Sequence, residues 1–527
     1  MNSVTSVTRP YLLLRPAIFQ NQTLQKVSAG AKKETAVNNS KKVNSNMLLK
    51  LNLKKFPNLL GHSTSRINRL YNEDAYSCNI ISFPSLQQDV DIMRTGKSKN
   101  NDIFKNNRIL NLSVFDGHGG EGRVSKLLAE KLHLRLSTEL PTKKKFFDLL
   151  KEYKDIVGGE YWEVLYKNRF KFYDKYIKHC NTKIDLVLFA DKGKEKNSNS
   201  TWAESPIGSR MIFDKYGNII DKTSLLTEYQ RLRFYYTYLK FDLEECCGHK
   251  RHGSVTNINQ NIYDQFEQFP GGSTATSIFL TPFDIQSNRS VIHDDSFIVR
   301  PTSLLKLVVT QIGDSKAIIC DSNGIAHSLS KPHNASSERE IKRLYKQPEK
   351  RKNLSIAKMK TAPIIEPEVE TDSFGDKRFL DTFANTRSFG DIIAKNKGLS
   401  AEPELYSYLI GPTIDLPHSE KSKLQFGGDE CFIILISDGV YNVIPDQELV
   451  DLITSTVNNR GLKTATPQYI TDEIIKYVYA IGGRDADNAT CVLLRLPNWG
   501  NWPSIDRTGK IREEKLMHTF SGDRNMS

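Results

Sequence analysis

Apolar and polar positions along the chain keep two periods, and their boundaries predict the elements. Leu110, Leu112 and Val114 alternate with polar neighbours ahead of Phe115–Asp116, the period of a half-buried strand. Leu304–Ile312 and Ala317–Cys320 flank Gly313–Asp314, which predicts two strands joined as a hairpin. Cys431–Ile436 is an unbroken apolar run, as a strand covered on both faces should be, and it ends at Ser437-Asp438-Gly439. Cys491–Leu496 predicts another strand just after Asp487–Asn488. Val124, Leu127, Leu128 and Leu132 share one helical face. Pro445, Asp446 and Glu448 mark the first turn of a helix running through Ile453, with proline and acids where the dipole favours them. The strands cluster instead of alternating regularly with helices, so the fold class is α+β.

Residues 140–270 follow a different plan. Lys- and Tyr-rich helical patterns (Tyr161–His179, Tyr229–Leu243) are separated by polar linkers such as Lys192–Ser200. Basic and aromatic residues together suggest nucleic acid. Between Lys143 and His179, however, ten Lys or Arg are interleaved with six Asp or Glu, so no one-signed stripe forms. The stretch reads as surface helices packing their aromatics inward. Residues 343–376 read as a mobile loop. Pro497–Pro503, with Trp499 and Trp502, reads as a strap on the domain.

Charge first complicates this picture and then simplifies it. The 527 residues include 74 Lys or Arg and 61 Asp or Glu, a net charge of +13. Residues 1–60 hold ten of the bases and one acid, Glu34, which leaves 64 basic and 60 acidic residues beyond. A near-neutral body disfavours a nucleic-acid partner. Residues 1–50 read as a basic targeting or disordered leader: Ser-, Thr- and Asn-rich, almost free of acids, and without a secretory apolar core. That is the composition of a mitochondrial transit peptide. The plainer alternative is a solvated basic tail in the cytoplasm, since Pro10 and Pro16 interrupt a helix there. No apolar run approaches the ~18–20 residues of a membrane span. Seven cysteines without a CxxC pair suit a reducing compartment and argue against a zinc site.

Three aspartates carry the candidate chemistry. Asp116, Asp438 and Asp487 each close or precede a strand-like run and are followed by a small or turn-forming residue. A carboxylate at a strand end lets a cation reach it and the next carbonyl together, and Mg²⁺ and Mn²⁺ prefer such oxygen donors. Singly, each is more simply a turn. Seven blocks in order change that: Arg69–Asp74, Phe115–Gly120, Gly271–Ala275, Gly313–Ala317, Thr386–Asp391, Ser437–Val440 and Asp487–Thr490. Together they resemble the type 2C, metal-dependent protein serine/threonine phosphatases, from about Arg66 to Leu496. The chain also looks like a fungal mitochondrial member of that family.

The resemblance implies a fold, a site and a reaction. The fold would be an α-β-β-α sandwich of two antiparallel β-sheets flanked by helix pairs. The catalytic domain would cover 51–497, with an insertion at about 140–270, and 498–527 would be a C-terminal extension. Asp116 would bridge two Mn²⁺ or Mg²⁺ ions, the Gly117 carbonyl would bind one, and Asp438 and Asp487 would complete the other's shell. Glu73 and Asp74 would hold metal-bound waters, and Asp314 would share a weak third ion with Asp438. Arg69 would bind the substrate phosphate bidentately. A metal-bridging hydroxide would attack, and His118 would protonate the leaving alkoxide. The implied partners are phosphorylated mitochondrial proteins of the matrix or intermembrane space, the pyruvate dehydrogenase E1α subunit first among them. A monomer is expected. The competing reading is a pseudophosphatase scaffold, against which the intact aspartates argue. The chain departs from the family at Leu329–Pro332 (Asp-His-x-Pro there), at Lys316 (arginine there), and in the long Asp116–Gly271 interval.

Overall fold

The apolar run around Cys431 forms the middle of a sheet. Phe432–Ile436 is buried at all five positions. Ile433 and Leu435 enter one hydrophobic layer; Phe432, Ile434 and Ile436 enter another. Successive strand side chains leave on opposite faces, so a strand without a polar face must be covered twice. The computed structural model shows both covers. It describes residues 8–14, 49–83, 107–173, 228–249, 262–283, 295–301, 304–345, 382–414, 424–483 and 486–520, short pieces at 225–226 and 378–380, and a few single positions.

Two antiparallel sheets face each other. The first runs in the order Thr8–Arg9, Ala75–Phe83, Asn107–Phe115, Ala275–Pro282, Leu305–Ile312, Glu404–Ile410. The second runs Ala326–Ser328, Lys316–Cys320, Phe432–Ile436, Ala489–Arg495, Leu60–Ser65. Leu112, Ile278 and Leu307 of the first meet Ile319, Leu435 and Val492 of the second. Helices Arg123–Thr138, Lys143–Ile156 and Glu228–Phe241 cover the first sheet's outer face through Leu128, Leu150 and Leu239. Helices Asp446–Arg460 and Pro467–Ile481 cover the second through Ile453 and Ile474. The result is the expected α-β-β-α sandwich. Among the described residues no helix is long and apolar enough to cross a membrane, and six cysteines are buried free thiols.

The turn at Gly313–Asp314 does not close a hairpin. Leu305–Ile312 pairs with Ala275–Pro282 and Glu404–Ile410 in the first sheet, whereas Lys316–Cys320 pairs with Ala326–Ser328 and Phe432–Ile436 in the second. The chain therefore changes sheet at this turn. Both strands are interior, so each needs two neighbours and cannot take only the other. Gly313 has φ +83°, and a Cβ there would stand 2.5 Å from Thr274.

In the described part of 140–270 most aromatics pack inward, Phe170 excepted. Trp162 stacks on Tyr153 with centroids 4.1 Å apart and donates its indole N–H to the Lys395 carbonyl at 2.8 Å. The linker Lys192–Ser200, and the loop expected at 343–376 from residue 346 on, lie outside the described residues. At the other end, Trp499 and Trp502 pack edge-on against Phe432 at 5.7 and 5.8 Å, which straps the C-terminal segment to the second sheet.

Part of the expected leader is folded into the sandwich. Thr8–Arg9 pairs with Ala75–Phe83 at the first sheet's edge, and Tyr11–Leu14 pairs with Leu49–Asn52. Leu12 is fully buried in the layer between the sheets. Arg9 reaches the buried Asp295 at 2.8 Å, and the Leu13 amide donates to the same carboxylate at 2.7 Å. The division between leader and domain at residue 51 thus does not hold for residues 8–14.

Candidate active site

Strand ends from both sheets converge at one end of the sandwich. Asp116 directly follows Asn107–Phe115, Asp438 follows Phe432–Ile436 after Ser437, and Asp487 lies two residues ahead of Ala489–Arg495. Asp314 arrives on the sheet-changing turn. With Arg69, Glu73, Gly117 and His118 they line one cleft of about 590 Å³. Asp74 lies beneath it, 6% exposed.

The carboxylates crowd one another. The Asp116 and Asp438 carboxylates stand beside each other. Burial, then Asp438, Asp74 and Asp314, push Asp116 well above the usual carboxylate range. Burial, then Asp314, push Asp438 up to about 7. Asp74 rises to about 6, mainly through burial, although the Thr490 and Ser437 hydroxyls oppose the rise. Like charges this close resist joint ionisation unless a cation stands among them.

The remaining predicted residues are held by short-range geometry. The Gly122 amide donates to Glu73 Oε1 at 3.2 Å. Gly117 passes so close to the Glu73 carbonyl that a Cβ would come within 2.4 Å of it, which requires glycine there. Arg69 Nη2 lies 3.0 Å from Asp487 Oδ2, with both side chains about half exposed. The His118 side chain is 45% exposed, and its Nε2 lies 2.7 Å from Asp391 Oδ2. Burial works against the imidazolium, the Asp391 carboxylate outweighs it, and the ring stands above its ordinary pKa.

Several site residues had no role in the sequence reading. Asn488 accepts the Glu73 amide at 2.8 Å and donates to the Arg66 and Tyr71 carbonyls, so it shapes the loop that carries Arg69. Ser437 donates to Asp74 Oδ2 at 2.8 Å. Asn385 donates to Asp314 Oδ1 at 2.8 Å, and Tyr441 hydrogen-bonds to the same carboxylate. His333 is fully buried; its Nδ1 accepts the Gly313 amide at 3.1 Å and so braces the sheet-changing turn. Asn488 and Ser437 sit inside blocks that the sequence had marked. Asn385 and His333 sit in no such block. Lys316, where the family has arginine, pairs with Asp446 at 2.9 Å.

Among the described residues no three His, Cys, Asp or Glu side chains stand as a preset metal-ligand group. The donor set nonetheless fits hard divalent cations. It consists of oxygens alone, Asp116 and Asp438 stand among further carboxylates, and Asp74 Oδ1 is buried without a hydrogen-bond partner.

Residues 243–487 match the family model "Protein phosphatase 2C". Protein phosphatase 2C homolog 4 of Schizosaccharomyces pombe is 30% identical over 55% of this chain and 58% of its own. The mitochondrial protein phosphatase 1K of Xenopus laevis is 26% identical over 38% of this chain and 42% of its own. The chain spans about half the length of the curated relatives it matches. Among solved structures, a serine-threonine phosphatase 2C from Toxoplasma gondii aligns at 14% identity over 83% of this chain and 94% of its own, with a TM-score of 0.39. The family match is confined to residues 243–487, which are similar to that family and include Asp314, Asp391, Asp438 and Asp487.

Proposed function

We propose that the chain is a metal-dependent protein serine/threonine phosphatase. One observation carries the reading: carboxylates from strand ends of both sheets share a cleft with an arginine and a histidine. Asp116, the Gly117 carbonyl, Asp438 and Asp487 would hold two Mn²⁺ or Mg²⁺ ions, with Glu73 and Asp74 supporting them and Asp314 available to a weaker third. Such ions neutralise the phosphate's charge and lower the pKa of a water they share. Arg69 turns from Asp487 to the phosphate and orients it for in-line displacement. His118 supplies the proton that a serine or threonine alkoxide needs to leave. The complete carboxylate set speaks against a scaffold that binds partners without turnover.

The substrates in this reading are phosphorylated proteins, and the enzyme acts as a monomer. The basic composition of residues 1–50 and the resemblance to a mitochondrial relative support a mitochondrial location, with pyruvate dehydrogenase E1α as the first substrate to try. The test is hydrolysis of p-nitrophenyl phosphate and a phosphoserine peptide by the full chain, with Mn²⁺ and with EDTA. Turnover that depends on Mn²⁺ is expected; no turnover with either substrate in Mn²⁺ would sink the reading. A fluorescent fusion of the full chain tests location separately, and a cytosolic signal would remove the support for E1α.

A further inference from the structure

We propose that Asp391 is the positioning residue for His118, fixing the ring so that Nδ1, and not Nε2, serves the leaving group. The inference rests on the reading of His118 as the general acid. The two residues are carried by one three-stranded ribbon: Gly117–His118 and Phe389–Gly390 lie on either side of Gly272–Ser273. His118 Nε2 lies 2.7 Å from Asp391 Oδ2, and Ser388 Oγ donates to that same oxygen at 2.6 Å. Asp391 is 2% exposed. A Cβ on Gly272 would stand 2.0 Å from Asp391 Oδ2, so the middle strand leaves room for the carboxylate only because it is glycine there.

Asp391 has φ +51°, the left-handed region. A non-glycine residue there is strained and persists only where its surroundings over-determine it. The surroundings do so from behind. Asp242 and Lys395 form an ion pair at 2.8 Å in which both side chains are fully buried. Asp242 Oδ1 accepts the Gly390 amide at 2.8 Å, and Lys395 Nζ donates to the Ser388 carbonyl at 3.1 Å. Backbone on both sides of Phe389 is therefore pinned by one buried pair. With Nε2 committed to Asp391, Nδ1 is the ring nitrogen left for the cleft.

The step then balances as follows. A water oxygen forms the new bond to phosphorus and loses a proton to solvent. The bond from phosphorus to the serine oxygen breaks, and the electron pair stays on that oxygen. The oxygen takes the proton from His118 Nδ1, which solvent restores.

The test is Asp391→Asn in the full chain, assayed with Mn²⁺ on two substrates of different leaving group. General acid–base help is worth about 10²–10⁴-fold, and it matters least for p-nitrophenolate, a good leaving group. We expect kcat on a phosphoserine peptide to fall about tenfold or more, and the loss on p-nitrophenyl phosphate to be several-fold smaller. His118→Ala with Asp391→Asn should be no slower on the peptide than His118→Ala alone. Equal losses on both substrates, or fully additive losses in the double variant, would overturn the proposal in favour of a structural role. If thermal unfolding shows Asp391→Asn to be misfolded, Ser388→Ala carries the test with the same expected asymmetry. A wild-type chain inactive on both substrates would instead bring down the phosphatase reading itself.

Discussion

At Asp438 the demands of charge and fold oppose each other most directly. Burial, then the neighbouring carboxylates, raise it to about 7, so an ionised carboxylate there destabilises the cation-free protein while remaining the group a cation wants. Asp438→Asn should therefore leave the melting temperature in EDTA unchanged or higher. It should also weaken Mn²⁺ binding in a calorimetric titration and lower turnover beyond the ~10–100-fold typical of outer-shell partners. Near wild-type Mn²⁺ affinity would exclude it as a ligand. Arg69 separates from the carboxylates by a different signature. Losing a charged phosphate contact of about 1.5–3 kcal/mol should raise KM for a phosphopeptide roughly tenfold or more. An unchanged KM in Arg69→Ala would remove the residue from phosphate binding. His333 makes a prediction about pH. Burial, then the Arg387 charge, bring its pKa down to about 4, against about 6.5 in an unfolded chain. Between those values the unfolded chain binds more protons, so stability falls as pH drops through that window, by up to about 3 kcal/mol. Urea unfolding at pH 7.5 and 4.5 should show a smaller difference in His333→Gln than in wild type; an equal difference would mean that the ring is not held neutral.

Elements were legible where one period persisted long enough to exclude the other. Phe432–Ile436 could be read from five apolar positions in a row, and Arg123–Thr138 from one apolar face. Sheet membership could not be read. Whether Gly313–Asp314 reverses the chain within a sheet or passes it to the other depends on partners far away in sequence, and local turn chemistry permits either. The short strands at the N-terminus were hidden by composition: Tyr11–Leu14 is only four residues in a polar, basic stretch, and its partner Leu49–Asn52 lies beyond a long interval. Removing residues 1–50 would therefore take away strands that pair with the domain. Removing 1–7 should be neutral in denaturant unfolding. Leu12→Ala should cost about 2–5 kcal/mol, as buried leucine truncations do. If Leu12→Ala proves as stable as wild type, the strand is not part of the cooperative fold.

For the whole molecule, the site is a property of the sandwich more than of any segment. Asp116 and Asp438 hang from different sheets, and the packing of Leu112 and Ile278 against Leu435 and Val492 sets how far apart they stand. The ligand candidates could be read from sequence because each lies in its own short block, and the blocks keep their order. The His118–Asp391 contact could not, since 273 positions separate its members and only the ribbon brings them together. The folded N-terminal strand has a consequence of a different kind. Residues 8–14 belong to the basic stretch read from sequence as a leader, yet they pair with Ala75–Phe83 and bury Leu12. Were this stretch an address, delivery and folding would compete for it and timing would set the outcome: it would be read on the nascent, extended polypeptide and closed once the edge of the sheet had formed.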